Sequence, residues 1–268
     1  MKVDVITRHA ITNYGSLLQA LATQTVIEEL GHECEIIDYI RTDESYREHE
    51  KTLLKNKKKW NNNPFIRFAY LTLRQPESIM AGKKFEKQRD GYLKLSKRYS
   101  SREALKNDPP KADVYMTGSD QVWGPTEDGS YDDNYCLSFA NGMKKISYAA
   151  SFGRTDMTSE TREYFIKHLS TYDHVAVRED SAVKMLRNFG IESEQVLDPT
   201  LLYGEEFWNK YTKEATSKKY ILVYQLHNDK KLGEYAEKVA KKKEWSLLEF
   251  HLLSIKLVDR ANLFGVQL

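Results

Sequence analysis

The run Gly118-Ser119-Asp120-Gln121-Val122-Trp123 sets a hydroxyl, a carboxylate and a carboxamide side by side directly after an apolar run at 112–117. In that pattern Asp120 could take a proton from a polyol hydroxyl. Ser119 and Gln121 could hydrogen-bond the same substrate, and Trp123 offers a flat face of the kind sugars stack on. The competing reading is that Ser119 and Asp120 only cap the turn that follows. A second cation-bearing spot is Arg178, which ends the apolar run 174–177 just before a helix start. There a guanidinium and free N–H groups could hold an anion, or Arg178 could pair with Glu179 or Asp180 instead. Ser151-Phe152-Gly153 closes another apolar run with small residues that let backbone approach a ligand. Asp198 ends a further one in Leu197-Asp198-Pro199-Thr200. The loop Arg8-His9-Ala10-Ile11-Thr12-Asn13-Tyr14-Gly15 is too long and too polar for a plain connector, and it feeds a helix N-terminus suited to an anion or a sugar hydroxyl.

These groups share one edge only if the runs before them are parallel strands. Residues 3–7 and 34–38 read as strands around a helix whose apolar residues Leu17, Leu18, Leu21, Val26, Ile27 and Leu30 fall on one face. Ser16 is expected to cap it, with Gln19 completing a capping box, and Gly31 to stop it in a left-handed conformation. Two strands joined by a helix are parallel with a right-handed crossover, so the connecting loop lies at the carboxyl end of the sheet, where such sheets bind ligands. Further strands are expected at 112–117, 145–150, 174–179 and 196–202, with helices at 158–169 and 180–189 between the later ones. The fold class is therefore α/β: a Rossmann-like, doubly wound, mostly parallel sheet over residues 1–212.

Residues 41–106 interrupt that alternation as a basic helical insertion. Lys51, Lys55, Lys57, Lys58, Lys59 and Trp60 lead to Asn61-Asn62-Asn63-Pro64 and then to an amphipathic helix containing Phe65, Ile66, Phe68, Leu71 and Leu73. Its apolar stripe is expected to pack on the sheet, with peripheral contact to an anionic lipid surface or polyanionic polymer as the alternative. A polar linker at 213–219 precedes a second domain at 220–268, where a strand, a helix and a strand are expected before the pattern fades at 255–265. One βαβ unit cannot cover both faces of its sheet, so this domain is expected to be cut short.

The 268 residues carry 30% charged side chains and a net charge of only +2, which argues against a nucleic-acid partner for the chain as a whole. Cys34 and Cys136 have no metal-binding spacing and read as reduced, buried thiols. With no signal-peptide run at the start and no apolar stretch of spanning length, the expected location is the cytoplasm, with the inner face of the membrane open to it through the insertion. No metal set is expected. A dinucleotide reading fails because the first loop lacks GxGxxG and Asp38 alone echoes a ribose-binding acid.

Five stretches together resemble the polysaccharide pyruvyl transferase family: Asn13-Tyr14-Gly15-Ser16-Leu17-Leu18-Gln19-Ala20, Gly118 to Trp123, Ser147-Tyr148-Ala149-Ala150-Ser151-Phe152-Gly153, Val177-Arg178-Glu179-Asp180-Ser181-Ala182 and Leu197-Asp198-Pro199-Thr200. The resemblance runs to about Phe250. It departs at Gly124, where relatives carry asparagine, and in the tail, which does not match the family pattern. It implies two Rossmann-like domains of the GT-B type. It also implies transfer of a pyruvyl group from phosphoenolpyruvate, the donor substrate, to a sugar or lipid-linked glycan of a cell-envelope or exported polysaccharide, with no resident cofactor. Mapped onto this chain, Asn13, Tyr14, Gly15, Gln19, Ser119, Gln121, Trp123, Ser151 and Asp198 would contact substrate, with Asp120 as base and Arg178 holding the anionic donor. The alternatives are an inactive truncated remnant or glycan-binding module, and a nucleotide-sugar glycosyltransferase of GT-B type. Oligomeric state is not legible.

Overall fold

A computed structural model describes residues 1–55, 61–212, 218–225, 229–251 and 254–258. The chain divides into two compact units, Met1–Gly204 and Glu205–Leu268. The first unit holds β1 (Lys2–Ile6), α1 (Tyr14–Glu29), β2 (Glu33–Ile36), α2 (His49–Lys55), α3 (Pro64–Tyr92), α4 (Arg102–Asn107), β3 (Val114–Thr117), β4 (Lys144–Ala150), α5 (Ser159–Leu169), β5 (His174–Val177), α6 (Asp180–Asn188) and β6 (Glu194–Gln195). Its sheet runs β2-β1-β3-β4-β5-β6, parallel throughout. Chain direction across the sheet reverses between β1 and β3, which makes the carboxyl ends of those two strands the switch point of the fold.

The strands form where the sequence is apolar on both faces: Val3, Val5 and Ile6 in β1 and all four residues of β3 are buried. Leu17, Ala20, Leu21 and Ile27 line the inner face of α1, and each buried Leu or Ile contributes roughly 1.5–3 kcal/mol. Asn13, not Ser16, caps this helix, its side-chain oxygen accepting from Gly15 N at 2.8 Å. Asn13 wins because it stands in extended backbone at φ −142°, whereas Ser16 already lies inside the first turn. Gly31 takes the expected left-handed conformation at φ +81°. Thr158 caps α5, accepting from Thr161 N, while α6 starts after Glu179 with no side-chain cap.

Two expected strands change. β6 is only Glu194–Gln195, and the chain then turns through a 3-10 segment at Pro199–Leu202 that packs on α1. Proline lacks the N–H a longer strand would need. β4 carries an irregularity between Ser147 and Ala150, with Ala149 at φ +54°, which re-aims the chain leaving the strand.

Within the insertion, residues 56–60 lie outside the described residues. After α3 the chain returns beside β2, with hydrogen bonds from Ile36 N to Lys94 O (2.7 Å) and from Tyr99 N to Asp38 O (2.8 Å). The apolar stripe of α3 does not pack on the sheet in its first half: Phe65, Phe68 and Leu73 are 85%, 74% and 77% exposed. The side that docks is the polar one, with Tyr70 Oη donating to Glu50 of α2 at 2.9 Å.

The second unit contains α7 (Glu205–Trp208), β7 (Tyr220–Gln225), α8 (Lys230–Lys243), β8 (Ser246–His251) and β9 (Ser254–Val258). β7 and β8 are parallel about α8, which Asp229 caps by accepting from Lys231 N and Leu232 N. β9 pairs antiparallel with β8, so a strand stands where the sequence pattern fades. Residues 213–217 of the expected linker and 259–268 of the tail lie outside the described residues. Among the described residues no helix is long and apolar enough to cross a membrane.

Candidate functional site

The polar residues that end the parallel strands meet along one rim. Thr7, one residue past β1, donates through Oγ1 to Ser119 O (2.7 Å) and accepts from Gln19 Nε2 (2.8 Å). Ser119, one residue past Gly118, donates to Asp198 Oδ2 at 2.9 Å, and Asp198 also receives Arg178 at 3.2 Å. A hydrogen-bonded line therefore runs Gln19–Thr7–Ser119–Asp198–Arg178 across the ends of β1, β3, β5 and β6. It needs Gly118: a Cβ there would lie 3.0 Å from Val5 Cγ1 and 3.1 Å from Thr7 Cβ.

Asp120 sits beside this line at φ +84°, a conformation unfavourable to a residue with a Cβ. Several bonds hold it there. Oδ2 accepts from Ser16 Oγ at 2.7 Å, Oδ1 from its neighbour Gln121 N at 2.7 Å, and the carbonyl from Ser151 N at 3.0 Å. Strain of this kind persists only where the surrounding bonds over-determine the conformation. The irregularity in β4 delivers Ser151 to this position. Ser151 is buried and its Oγ accepts from Gly153 N.

Arg178 is half-buried between two carboxylates, with Nε 3.0 Å from Glu179 Oε1 and a terminal nitrogen on Asp198. Burial opposes its charge, but Glu179 and Asp198 outweigh that and raise its pKa. Asp198 is held low in turn: burial pushes it up, and hydrogen bonds from Thr200, Ser119 and Arg178 more than compensate. Of the two sequence readings of Arg178, the pairing with Glu179 is present, joined by Asp198 in place of Asp180. It stands at the rim, and an anion reaching it must compete with the carboxylates.

Two expectations are corrected. Trp123 is 2% exposed, its Nε1–H donating to Tyr135 O at 3.1 Å and its ring packed on Phe152 at 4.9 Å, so it anchors the core and offers no sugar platform. Gln19 forms no capping box. It is buried, its amide nitrogen spent on Thr7 and Ser16 O. Asn13 uses its side-chain oxygen as the helix cap. Tyr14 is half-exposed, donating to Gln88 and edge-on to Phe85, and Gly15 lies against the Asn13 cap. Gln121 is exposed over Gly153, where a Cβ would come within 2.9 Å of it.

A second group on the same edge escaped sequence reasoning. His9, fully buried, has Nδ1 3.0 Å from Thr7 O and Nε2 3.1 Å from Asp38 Oδ1. Asp38 also receives Arg98 Nε at 2.9 Å and faces Arg89. Burial alone would raise the Asp38 pKa, but His9 and the two guanidinium groups hold it down to about 2. Beside it Glu44 gathers Arg8, Arg41 and the Tyr135 hydroxyl. The only hint in sequence was the position of His9 and Asp38 just past adjacent strands. Among the described residues no group of three His, Cys, Asp or Glu side chains is placed to hold a metal.

A doubly wound α/β unit carries its polar rim at the switch point, the place where open parallel sheets generally bind their ligands. The chain belongs to the polysaccharide pyruvyl transferase family, whose model matches residues 13–264. That match runs past Phe250, where the sequence resemblance was expected to stop. Among solved structures, UDP-N-acetylglucosamine 2-epimerase from Rickettsia bellii is similar at 12% identity and a TM-score of 0.45, covering 94% of this chain. The chain spans 62% of the length of that protein. Comparison with curated proteins gives no match.

Proposed function

We propose that the chain transfers a pyruvyl group from phosphoenolpyruvate to two hydroxyls of a sugar in a cell-envelope or exported glycan, forming a cyclic ketal. The reading rests on the family match over residues 13–264, and the rim supports it by supplying the groups this chemistry asks for. One sugar hydroxyl adds to the enol carbon while the methylene carbon gains a proton. The second hydroxyl then displaces phosphate, so one hydroxyl proton is balanced by the new methyl group and the other by the departing phosphate. Asp120 is the base toward the attacking hydroxyl, the chemistry a positioned carboxylate performs at about 10²–10⁴-fold. Ser119 orients Asp198, and Arg178 meets the carboxylate or phosphate of the donor by exchanging one of its carboxylate partners for it.

The test is phosphate release from phosphoenolpyruvate with panels of sugar and lipid-linked acceptors. Asp120→Asn is expected to lower kcat by at least about 100-fold, and Arg178→Lys to raise the donor KM because a point charge replaces a bidentate fork. Saturable binding of a nucleoside diphosphate with no response to phosphoenolpyruvate would move the chain to the glycosyltransferases.

A further inference from the structure

α3 is amphipathic in the opposite sense to a helix that supports a core. Phe65, Phe68, Ala69, Leu73, Pro76 and Met80 recur on one side at steps of three or four residues, with Phe68 and Ala69 adjacent, and every one of them is exposed. The other side is fixed to α2 through Tyr70 and Glu50 and by Gln75 donating to Arg47 O, so the exposed side cannot turn inward without breaking these bonds. From Phe65 to Met80 it extends roughly 22 Å at 1.5 Å per residue.

Charge singles out the same stretch. Residues 51–76 contain five lysines, two arginines and no acidic residue, in a chain whose net charge is +2, so the remainder is net negative. Tryptophan stands at position 60, directly after three consecutive lysines.

We propose that this face docks the protein on an anionic lipid bilayer, the apolar side of α3 entering the boundary between headgroups and acyl chains, with the basic sequence that precedes the helix drawing it to anionic headgroups. The chemistry selects this occupant over the alternatives. A polyanionic polymer would satisfy the charges and leave Phe65, Phe68 and Leu73 in water. A second copy would cover the apolar side and bring two like-charged stretches together. An anionic membrane surface satisfies both, and the pairing of exposed aromatic and aliphatic side chains with a lysine run is what interfacial helices present. The inference goes beyond pyruvyl transfer and does not rest on it, because its readout is binding and not turnover.

The full chain is sedimented with phosphatidylcholine vesicles with and without about one-third phosphatidylglycerol, at low and high salt. Binding is expected only with the anionic lipid and is expected to weaken as salt rises. Lys57→Gln/Lys58→Gln/Lys59→Gln and Phe65→Ser/Phe68→Ser/Leu73→Ser are each expected to lower partitioning by about 100-fold or more. Hydrogen exchange of the unsubstituted protein, expected to slow over residues 64–76 when vesicles are added, keeps the test valid if a variant fails to fold. The proposal is overturned by absent binding, by vesicle protection elsewhere in the chain, or by a serine variant that binds as well as the parent. It is equally overturned if the serine variant turns a dimer into a monomer with vesicle binding unchanged.

Discussion

Asp120 concentrates the conflict between stability and chemistry in one residue. Its φ of +84° costs an L side chain on the order of 1–3 kcal/mol, a cost glycine does not bear. Asp120→Gly is therefore expected to be about 1 kcal/mol more stable than Asp120→Ala in urea melts, while both lose transfer activity. Equal melts would show that the bonds from Ser16 and Gln121, and not backbone strain, decide the energy of the position. The shared edge of Ser119, Asp120, Arg178 and Asp198 was legible in sequence because each comes within a few residues of the end of an expected strand, and in a parallel sheet such positions lie together. Trp123 was misread because sequence does not tell which way an aromatic side chain points. His9 was missed because its partner Asp38 lies 29 residues away and only the pairing of β1 with β2 brings them together.

At the scale of the element, α1 and β3 are held to the rim by single residues. Asn13→Ala removes the cap of α1 and is expected to cost about 1 kcal/mol. Gly118→Ala drives a methyl group into Val5 and Thr7 and is expected to cost about 1–3 kcal/mol, with the bond from Thr7 to Ser119 lengthened as the strands part. Thermal melts of the two variants check the order; a harmless Gly118→Ala would mean that β1 and β3 separate freely at the switch point. Strand and helix periodicity gave most elements their place, since periodicity depends only on neighbours in sequence. It failed at Ser16, where an earlier asparagine already had extended backbone, and at α3, where amphipathy is visible but the side that finds a partner is not.

For the whole molecule, two buried carboxylates bend the pH profile in opposite directions. Asp38, lowered from 3.8 to about 2, is ionised in the fold where the unfolded chain is protonated. Its contribution is complete above about pH 4 and is lost as pH falls toward 2. Asp4, raised from 3.8 to about 6 mainly by burial, stays protonated in the fold where the unfolded chain has ionised, so stability declines as pH rises from about 4 to 6. Urea melts across this range are expected to show both limbs. Asp38→Asn should remove the acid limb and cost about 3 kcal/mol at neutral pH, because His9 loses its carboxylate partner and Arg89 and Arg98 keep only Glu86 and Asp90, and Asp4→Asn should flatten the decline. An Asp4→Asn profile that still falls between pH 4 and 6 would assign that decline to another group.

The main sheet also ends quietly on both sides. Beyond β2 the returning chain around Leu95 and Tyr99 already occupies the bonding positions, and at the far side β6 offers only Glu194 and Gln195, both turned to water. A border two residues long gives an incoming chain too few main-chain bonds to add another strand. Concentrated solutions should accordingly resist edge-to-edge fibre growth through this layer, and any self-association must use another surface.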